Sequence, residues 1–274
     1  MILTYTNSKG DTFDLLSNGL RVKDGNFHNY AWQPQTVSAL LGESVKGFGK
    51  KALHYSTTLA FRGSDQQRRA DLNAFRAATE TDIISMTPGK LQWQEDYIQC
   101  YIVASSTYPS DDTPTMTLDE VDIYAPYPFW FRDVKKSFFG QTASGTFLDY
   151  PYDYDYDYYQ GVIGYDIFIS GHYAPSEFTM MIYGAAVNPM ITIGGQVYGI
   201  YDTLAAGDYA EIDSRSHTVT KYASGGTKTN IFDLRTKAAS IFNRMPAGDF
   251  GVSWSGAFGF DIILHEERSE PEWI

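Results

Sequence analysis

Three aspartates alternate with tyrosines in the segment DYPYDYDYDYYQG, residues 149–161. Asp153, Asp155 and Asp157 have the D-x-D-x-D spacing that opens an EF-hand calcium loop, in which carboxylates bind the ion. Such a loop also needs a glycine at its sixth position and a glutamate at its twelfth, where this chain has Tyr158 and Gly164. The pattern therefore argues against calcium, and we predict no metal ligands.

Residues with catalytic side chains show no motif that would bring them together. The five histidines are scattered, and HEERS at residues 265–269 has Ser269 where a zinc-binding H-E-x-x-H motif needs its second histidine. The segment GVSWSG has Ser255 where a G-x-S-x-G nucleophile elbow needs glycine. A dispersed Ser-His-Asp set stays open, and with 33 acidic residues carboxylate pairs arise by chance. We predict no catalytic residues, no cofactor and no enzymatic activity.

Two single residues have both a chemical and a structural interpretation. Trp254 could form a sugar-stacking platform, but its neighbours alternate in polarity along a predicted strand, which favours a place in the core. Cys100 is the only cysteine, so the chain has no internal disulfide. It lies in the strand-like segment YIQCYIVAS, which favours a small buried side chain over a nucleophile.

The tyrosine-rich run itself is typical of a strand. Tyrosines occupy one parity from residue 150 to 158 and aspartates with Pro151 occupy the other, so a period of two puts the aromatic rings on one face. Pro151 cannot donate to a ladder, which favours an edge position. We predict that residues 149–159 form a strand that joins two packed domains.

One stretch predicts a helix, and most of the rest predicts strands. In residues 64–79, Ser64 is a good N-cap, Gln67 completes a capping box, and Leu72, Phe75 and Thr79 keep helical spacing. We interpret Arg68, Arg69 and Arg76 as solvated. TDIISM at residues 81–86 predicts a strand, and the Gly- and Lys-rich segment 41–51 predicts a mobile loop. Short strands with regular turns favour β-sandwiches.

Composition and charge support two domains. The chain has 274 residues and a net charge of −12. Residues 1–140 hold 14 Lys and Arg against 16 Asp and Glu, and residues 141–274 hold 7 against 17, so the net charges are −2 and −10. This asymmetry predicts a domain in each range. It argues against electrostatic binding to DNA or to anionic lipid, since both need basic patches. We see neither a signal peptide nor a membrane helix.

Several segments in order along the chain resemble the distal tail protein family of long-tailed, non-contractile bacteriophages, also found in prophages. The unit from Ala31 to Thr79 is similar to the N-terminal part, and VDIYAPYPFWF is similar to the strand that closes it. DYPYDYDYDY is similar to the Tyr-Pro-Tyr-Asp-Tyr linker of the family, although its third Asp-Tyr repeat lacks proline. Further similar segments are GAAVNPMITIGGQVYGIY, GDYAEIDSRSHTVTKY, NIFDLRTKAASIFNRMPAGDF and EERSEPEWI.

The resemblance implies a structural role in the virion, at the tail tip, after assembly in the cytoplasm of the bacterial host. Such proteins form a homo-hexameric ring that joins the tail tube protein to the tail-associated or tip protein of the baseplate. Residues 1–140, with one α-helix, would build the ring. Residues 141–274 would form an outward-projecting sandwich, resembling galectins or carbohydrate-binding modules, that can carry receptor-binding proteins. The alternative function is a carbohydrate-binding module or glycosidase that acts on sugars of the host wall.

Overall fold

The computed structural model describes residues 1–110, 115–140 and 164–273. The chain forms two compact units, Met1–Arg132 with Glu267–Ile274, and Asp133–Glu266. The change between units falls at residue 132, whereas the sequence predicted residue 140, and the C-terminal segment returns to the first unit. Strands dominate the described residues, so the predicted class, mainly β with a minor α part, is confirmed.

The first unit is built from two core sheets, a separate two-stranded hairpin of β4 and β5, and one helix. Its strands are β1 (Leu3–Thr6), β2 (Thr12–Asp14), β3 (Leu20–Gly25), β4 (Gln33–Ser38), β5 (Glu43–Gly49), β6 (Leu53–Arg62), β7 (Gly89–Trp93), β8 (Asp96–Pro109), β9 (Met116–Ala125) and the start of β10 (Trp130–Phe138). One sheet has the order β2-β1-β7-β8-β10, and the other has the order β3-β6-β9-β8. The 14-residue β8 belongs to both sheets, and one hydrophobic core unites them.

The helix α1 spans Asp65–Ser85 and begins where the sequence predicted. The Ser64 hydroxyl accepts a hydrogen bond from the Gln67 N–H at 3.3 Å, which satisfies one of the unpaired N–H groups of the first turn. The Gln67 side chain donates to Asp71 instead of turning back to Ser64, so only half of the predicted capping box forms. The buried face includes Phe75 and Ala78, which pack the helix onto the sheets.

The prediction of a strand at TDIISM, residues 81–86, is wrong, because α1 continues to Ser85. The two isoleucines favour a strand locally, but Asp82 points into the core of the unit. Its carboxylate accepts hydrogen bonds from the Tyr5 hydroxyl and from the Ser8 N–H, which ties the last turns of the helix to the sheet. Met86 then ends the helix in the left-handed conformation.

The prediction of a mobile loop at residues 41–51 is also wrong, because Glu43–Gly49 form β5. This strand pairs with β4 in an antiparallel hairpin, and the turn between them closes with a hydrogen bond from the Ala39 N–H to the Gly42 carbonyl at 3.0 Å. Gly42 has a φ of 81°, which glycine adopts without strain. Almost every residue of the hairpin is exposed, so the sequence lacks the alternation that normally indicates a strand.

The second unit is a β-sandwich. Its strands are the rest of β10, β11 (Gly164–Phe168), β12 (Glu177–Tyr183), β13 (Ala186–Val187), β14 (Met190–Ile193), β15 (Gln196–Gly199), β16 (Thr203–Leu204), β17 (Tyr209–Asp213), β18 (Thr218–Tyr222), β19 (Lys228–Asn230), β20 (Phe250–Trp254) and β21 (Phe260–Arg268), with a 3-10 helix at Phe232–Leu234. One sheet has the order β19-β18-β17-β12-β21-β10, and the facing sheet has the order β11-β20-β14-β15. Their inner faces share one core.

Two predicted turns of the second unit are confirmed. Gly194 and Gly195, with φ angles of 55° and 85°, form the two-residue turn between β14 and β15. The segment DSRS forms the turn between β17 and β18, where the Asp213 carboxylate accepts from the Arg215 N–H at 2.9 Å. Within the described ranges, no helix combines the length and the apolar composition needed to cross a membrane.

Candidate assembly surfaces

The first candidate assembly surface is the hairpin formed by β4 and β5. Within the described part of the chain its two strands pair only with each other, so both of its edges present unpaired backbone groups. At its tip, Leu40 is 100% exposed and Leu41 is 93% exposed. A lone two-stranded hairpin is only marginally stable in water, and adjacent exposed leucines typically mark an interaction site. The hairpin is therefore a candidate surface for contact with another molecule.

The root of this hairpin is fixed by Lys50, the residue that follows β5. Its ammonium group donates to the Pro128 carbonyl at 2.9 Å and lies 4.4 Å from the centre of the Phe129 ring. The rings of Trp32 and Tyr30, which precede β4, are 5.2 Å and 5.4 Å away. Ring faces attract a cation at these distances. Burial opposes this attraction by lowering the pKa of Lys50 to about 8, while the charge of Glu270 raises it.

The second surface lies at the C-terminal end of α1. Ile84 is 83% exposed, Met86 is 84% exposed, and Ile83 beside them is also exposed. The last turn holds no basic residue, and the exposed Glu80 lies one turn earlier. Since the carbonyl end of a helix carries partial negative charge, this apolar patch lies in a negative environment.

The predicted solvation of the helix arginines is correct for Arg69 alone. Arg69 has a side chain that is 77% exposed, and it pairs with Asp65 within the helix. Arg68 instead donates to the Gly63 carbonyl and to the Thr117 hydroxyl of β9. Arg76 donates to the Ser105 hydroxyl and lies 3.8 Å from the buried Asp119 carboxylate. Arg68 and Arg76 therefore attach α1 to the sheet of the first unit.

The C-terminal segment is attached to the first unit by a charged cluster. Arg132 donates to both carboxylate oxygens of Asp96, at 2.8 Å and 2.9 Å. The Glu272 N–H donates to the same carboxylate at 2.8 Å, and the Glu272 side chain accepts from Arg132. Next to it the ring of Trp273 stacks on His28, with 3.9 Å between centroids. A fragment that ends at residue 140 would lack these contacts.

In the second unit, three side chains form a hydrogen-bonded row that the sequence did not reveal. His265 lies between Asp133, at 2.7 Å from Nδ1, and the Thr179 hydroxyl, at 2.9 Å from Nε2. A catalytic triad has the same order, with a hydroxyl bonded to a histidine and the histidine bonded to a carboxylate. The row, however, lies across β10, β21 and β12, where the N–H groups around Thr179 belong to strand ladders. Those N–H groups do not converge on the hydroxyl to form an oxyanion hole.

Trp254 belongs to the core, as the sequence predicted. Its side chain is 7% exposed, its indole N–H donates to the Phe258 carbonyl at 3.0 Å, and the backbone of Gly164 covers one side of the ring. It also lines a shallow groove of about 410 Å³ together with Met190, Thr192 and Ser253. The groove has hydroxyl groups but no charged lining residue. A buried indole cannot offer its face to a sugar, so the stacking-platform interpretation is not supported.

Three further predictions from the sequence concern Cys100, the aspartates of the tyrosine-rich run, and metal ligands. Cys100 is buried in the core of the first unit, as predicted, and burial raises the pKa of its thiol to about 12. Asp153, Asp155 and Asp157, with the predicted joining strand 149–159, lie outside the described residues. Across residues 1–110, 115–140 and 164–273, no group of three or more His, Cys, Asp or Glu side chains is placed to hold a metal ion.

Comparisons with known proteins show which solved structures this fold is similar to. No protein-family profile matches the sequence, and no curated protein matches it. By structure, the chain is similar to hub and baseplate proteins of bacteriophages. The resemblance to distal tail proteins inferred from the sequence is confirmed at the level of the fold.

The individual matches extend over nearly the whole chain. One is the Dit protein of phage SPP1, described as a paradigm of the hub adsorption apparatus in phages that infect Gram-positive bacteria, with a TM-score of 0.62 and 8% identity over 98% of this chain and 100% of that one. Two others are chains of the phage p2 baseplate in its activated conformation, with Ca and with Sr, each with a TM-score of 0.63 and 11% identity over 99% of this chain and 100% of that one.

Proposed function

We propose that this chain is a structural protein of a phage or prophage tail tip. It acts as a distal tail protein, and its copies form a homo-hexameric ring that joins the tail tube protein to the tail-associated or tip protein of the baseplate. The observation that carries the proposal is the match of both units, in one chain, to the Dit protein of phage SPP1 over 98% of the sequence. It functions in the virion and assembles in the host cytoplasm.

The surfaces of the first unit support this assembly. A ring of identical subunits needs head-to-tail contacts, each formed by two different patches of one chain. The first unit presents an exposed hairpin and an exposed helix end, both apolar. Residues 1–140 also have a net charge of only −2, so like charges do not accumulate around the ring.

The second unit has the role of an outward-projecting sandwich that can carry receptor-binding proteins. Its charge supports this role, because residues 141–274 hold 7 basic against 17 acidic residues and repel the same domain on neighbouring copies. The chain does not tightly hold DNA that passes through the ring, since its net charge of −12 repels phosphate.

The proposed role is non-enzymatic. The structurally similar proteins are hub and baseplate components, and the row of Thr179, His265 and Asp133 lies on a sheet face where N–H groups are engaged in ladders. The alternative of a sugar-binding module or glycosidase has less support, because Trp254 is buried and the groove beside it has no carboxylate in its lining.

Electron microscopy of the purified full chain tests the proposal. We expect class averages of closed rings with six-fold symmetry in negative stain, without any other phage protein. Single particles of one subunit at micromolar concentration, or open filaments, would contradict the ring.

A further inference from the structure

The strand β11 of the second unit lies at the edge of its four-stranded sheet. Within the described residues it pairs only with β20, so its other side is an open edge. Its outward side chains are apolar, since Tyr165, Ile167 and the following Ile169 are all exposed. An exposed strand edge with apolar residues at alternate positions is a template on which a further strand can pair.

The backbone of Ile167, in the middle of this edge, bonds with two side chains. Its N–H donates to the Asp166 carboxylate at 2.7 Å, and its carbonyl accepts from the Lys136 ammonium group. Lys136 and Asp166 also pair with each other at 2.8 Å. We call Lys136, Asp166 and the Ile167 backbone the edge clamp. The clamp occupies both groups with which Ile167 would bond to an added strand.

The edge clamp connects the two sheets of the sandwich. Lys136 belongs to β10, in the sheet that faces β11, and its ammonium group lies 5.2 Å from the centre of the Phe138 ring. The bond with Lys136 and the bond with the Ile167 N–H lower the pKa of the Asp166 carboxyl. The Asp166 side chain is therefore ionised at neutral pH, and the clamp holds as a pair of opposite charges.

The same arrangement occurs a second time in this unit. The Asp202 carboxylate accepts from the Thr203 N–H at 2.8 Å, and Lys221 donates to the Asp202 carboxylate at 3.0 Å and to the Thr203 carbonyl at 2.6 Å. Thr203 belongs to β16, which has two residues and pairs with β13. The chemistry is equal at both places, but β16 is too short to accept a strand, whereas β11 has five residues.

An open β11 would match the β11 of a second copy. Antiparallel pairing of the two strands about Ile167 places Tyr165 of one copy opposite Ile169 of the other, and pairs of aromatic and β-branched residues stabilise a sheet. Such pairing would join two four-stranded sheets into one. With the clamp closed, each copy instead holds an ammonium group where the N–H of the other strand would have to donate.

We propose that the edge clamp of Lys136 and Asp166 closes β11 to strand addition. The strand that it excludes is the β11 of a second copy, so the second unit does not associate with its own kind through this edge. The inference goes beyond the proposed function and does not depend on the ring, because the excluded contact lies entirely in the second unit.

A labelled peptide tests whether the edge is closed. Lys136→Met with Asp166→Ala opens the clamp in the full-length chain without a change of net charge. The probe is a fluorescein-labelled synthetic peptide with the sequence GYDIFIS of residues 164–170. We expect its fluorescence anisotropy to rise to saturation with the open variant and to stay constant with wild type. Light scattering of the open variant should also show species larger than those of wild type.

The second clamp provides the matched control. Lys221→Met with Asp202→Ala removes the same two kinds of side chain, and we expect neither peptide binding nor larger species. Peptide binding by this control as strong as that of the open variant would overturn the proposal, since any loss of a Lys–Asp pair would then suffice. Equal binding by wild type would also overturn it, because the edge would then be open already.

A milder variant keeps the test decisive if the open variant does not fold. Lys136→Met alone frees the Ile167 carbonyl and leaves the Asp166 bond to the Ile167 N–H in place. Circular dichroism checks the fold of each variant. The milder variant should bind the peptide more tightly than wild type does. A folded variant of either kind that neither binds the peptide nor forms larger species would overturn the proposal.

Discussion

The ammonium group of Lys50 lies 4.4 Å from the centre of the Phe129 ring and fixes the root of the exposed hairpin. Replacing it in Lys50→Met keeps most of the unbranched side chain but removes the cation and the bond to the Pro128 carbonyl. We expect the free energy of unfolding to fall by about 1 kcal/mol, the size of the lost hydrogen bond to the Pro128 carbonyl, which Lys50 can donate in either protonation state. Amide hydrogen exchange in β4 and β5 should become faster. The neighbouring exposed Lys51 provides the matched control, since Lys51→Met should change neither quantity.

The pKa of the same lysine predicts a dependence of stability on pH. Burial lowers the pKa of Lys50 to about 8, below its value in the unfolded chain. Between pH 8 and pH 10 the unfolded state therefore binds more protons, so this group stabilises the fold increasingly as the pH rises. Urea unfolding should show that the free energy of unfolding of wild type exceeds that of Lys50→Met by an amount that grows from pH 7.5 to pH 9.5. If this difference shrinks instead, the attraction of the aromatic rings for the cation is larger than the cost of burying it, which contradicts the lowered pKa.

Gly89 allows a close approach between β7 and the end of α1. A Cβ atom at this position would lie 2.5 Å from the Tyr5 hydroxyl and 2.6 Å from an Asp82 carboxylate oxygen. We expect Gly89→Ala to lower the free energy of unfolding by about 1–3 kcal/mol, as overpacking in a core does. Gly19→Ala is the control, because its nearest neighbour would be 3.8 Å away. Equal effects of the two substitutions in thermal melts would contradict this packing.

The row of Thr179, His265 and Asp133 should support the fold and not a reaction. Thr179→Val removes one hydrogen bond at nearly constant volume, and we expect a loss of about 1 kcal/mol in unfolding free energy. Incubation with p-nitrophenyl acetate, peptidoglycan and wall polysaccharides should give no hydrolysis above the buffer rate. Turnover by wild type that disappears in both Thr179→Val and His265→Ala would show an active triad and overturn the non-enzymatic role.

Features that depend on local sequence were predicted well. The start of α1 follows from the Ser64 side chain, the Gly194–Gly195 turn from backbone conformation, and the burial of Cys100 from alternation along its strand. Each of these depends on neighbouring residues, and a single sequence contains that information.

Features that depend on distant residues were predicted poorly. The end of α1 depends on Asp82, which is bonded to Tyr5 across 77 positions of the chain. The hairpin escaped prediction because it is exposed on both faces and shows no alternation. In the hydrogen-bonded row, His265 contacts Asp133, which lies 132 positions earlier in the chain. The spacing of residues along a sequence cannot indicate such a contact.

The number of copies in the assembled particle tests the central claim most directly. One chain has a mass of 30.8 kDa, so a closed ring of six copies has a mass of about 185 kDa. Native mass spectrometry of the full-length chain should show this species as the dominant oligomer at micromolar concentration, with no continuous series beyond it. A dominant species of 30.8 kDa under the same conditions, or an open-ended series of larger masses, would contradict the account.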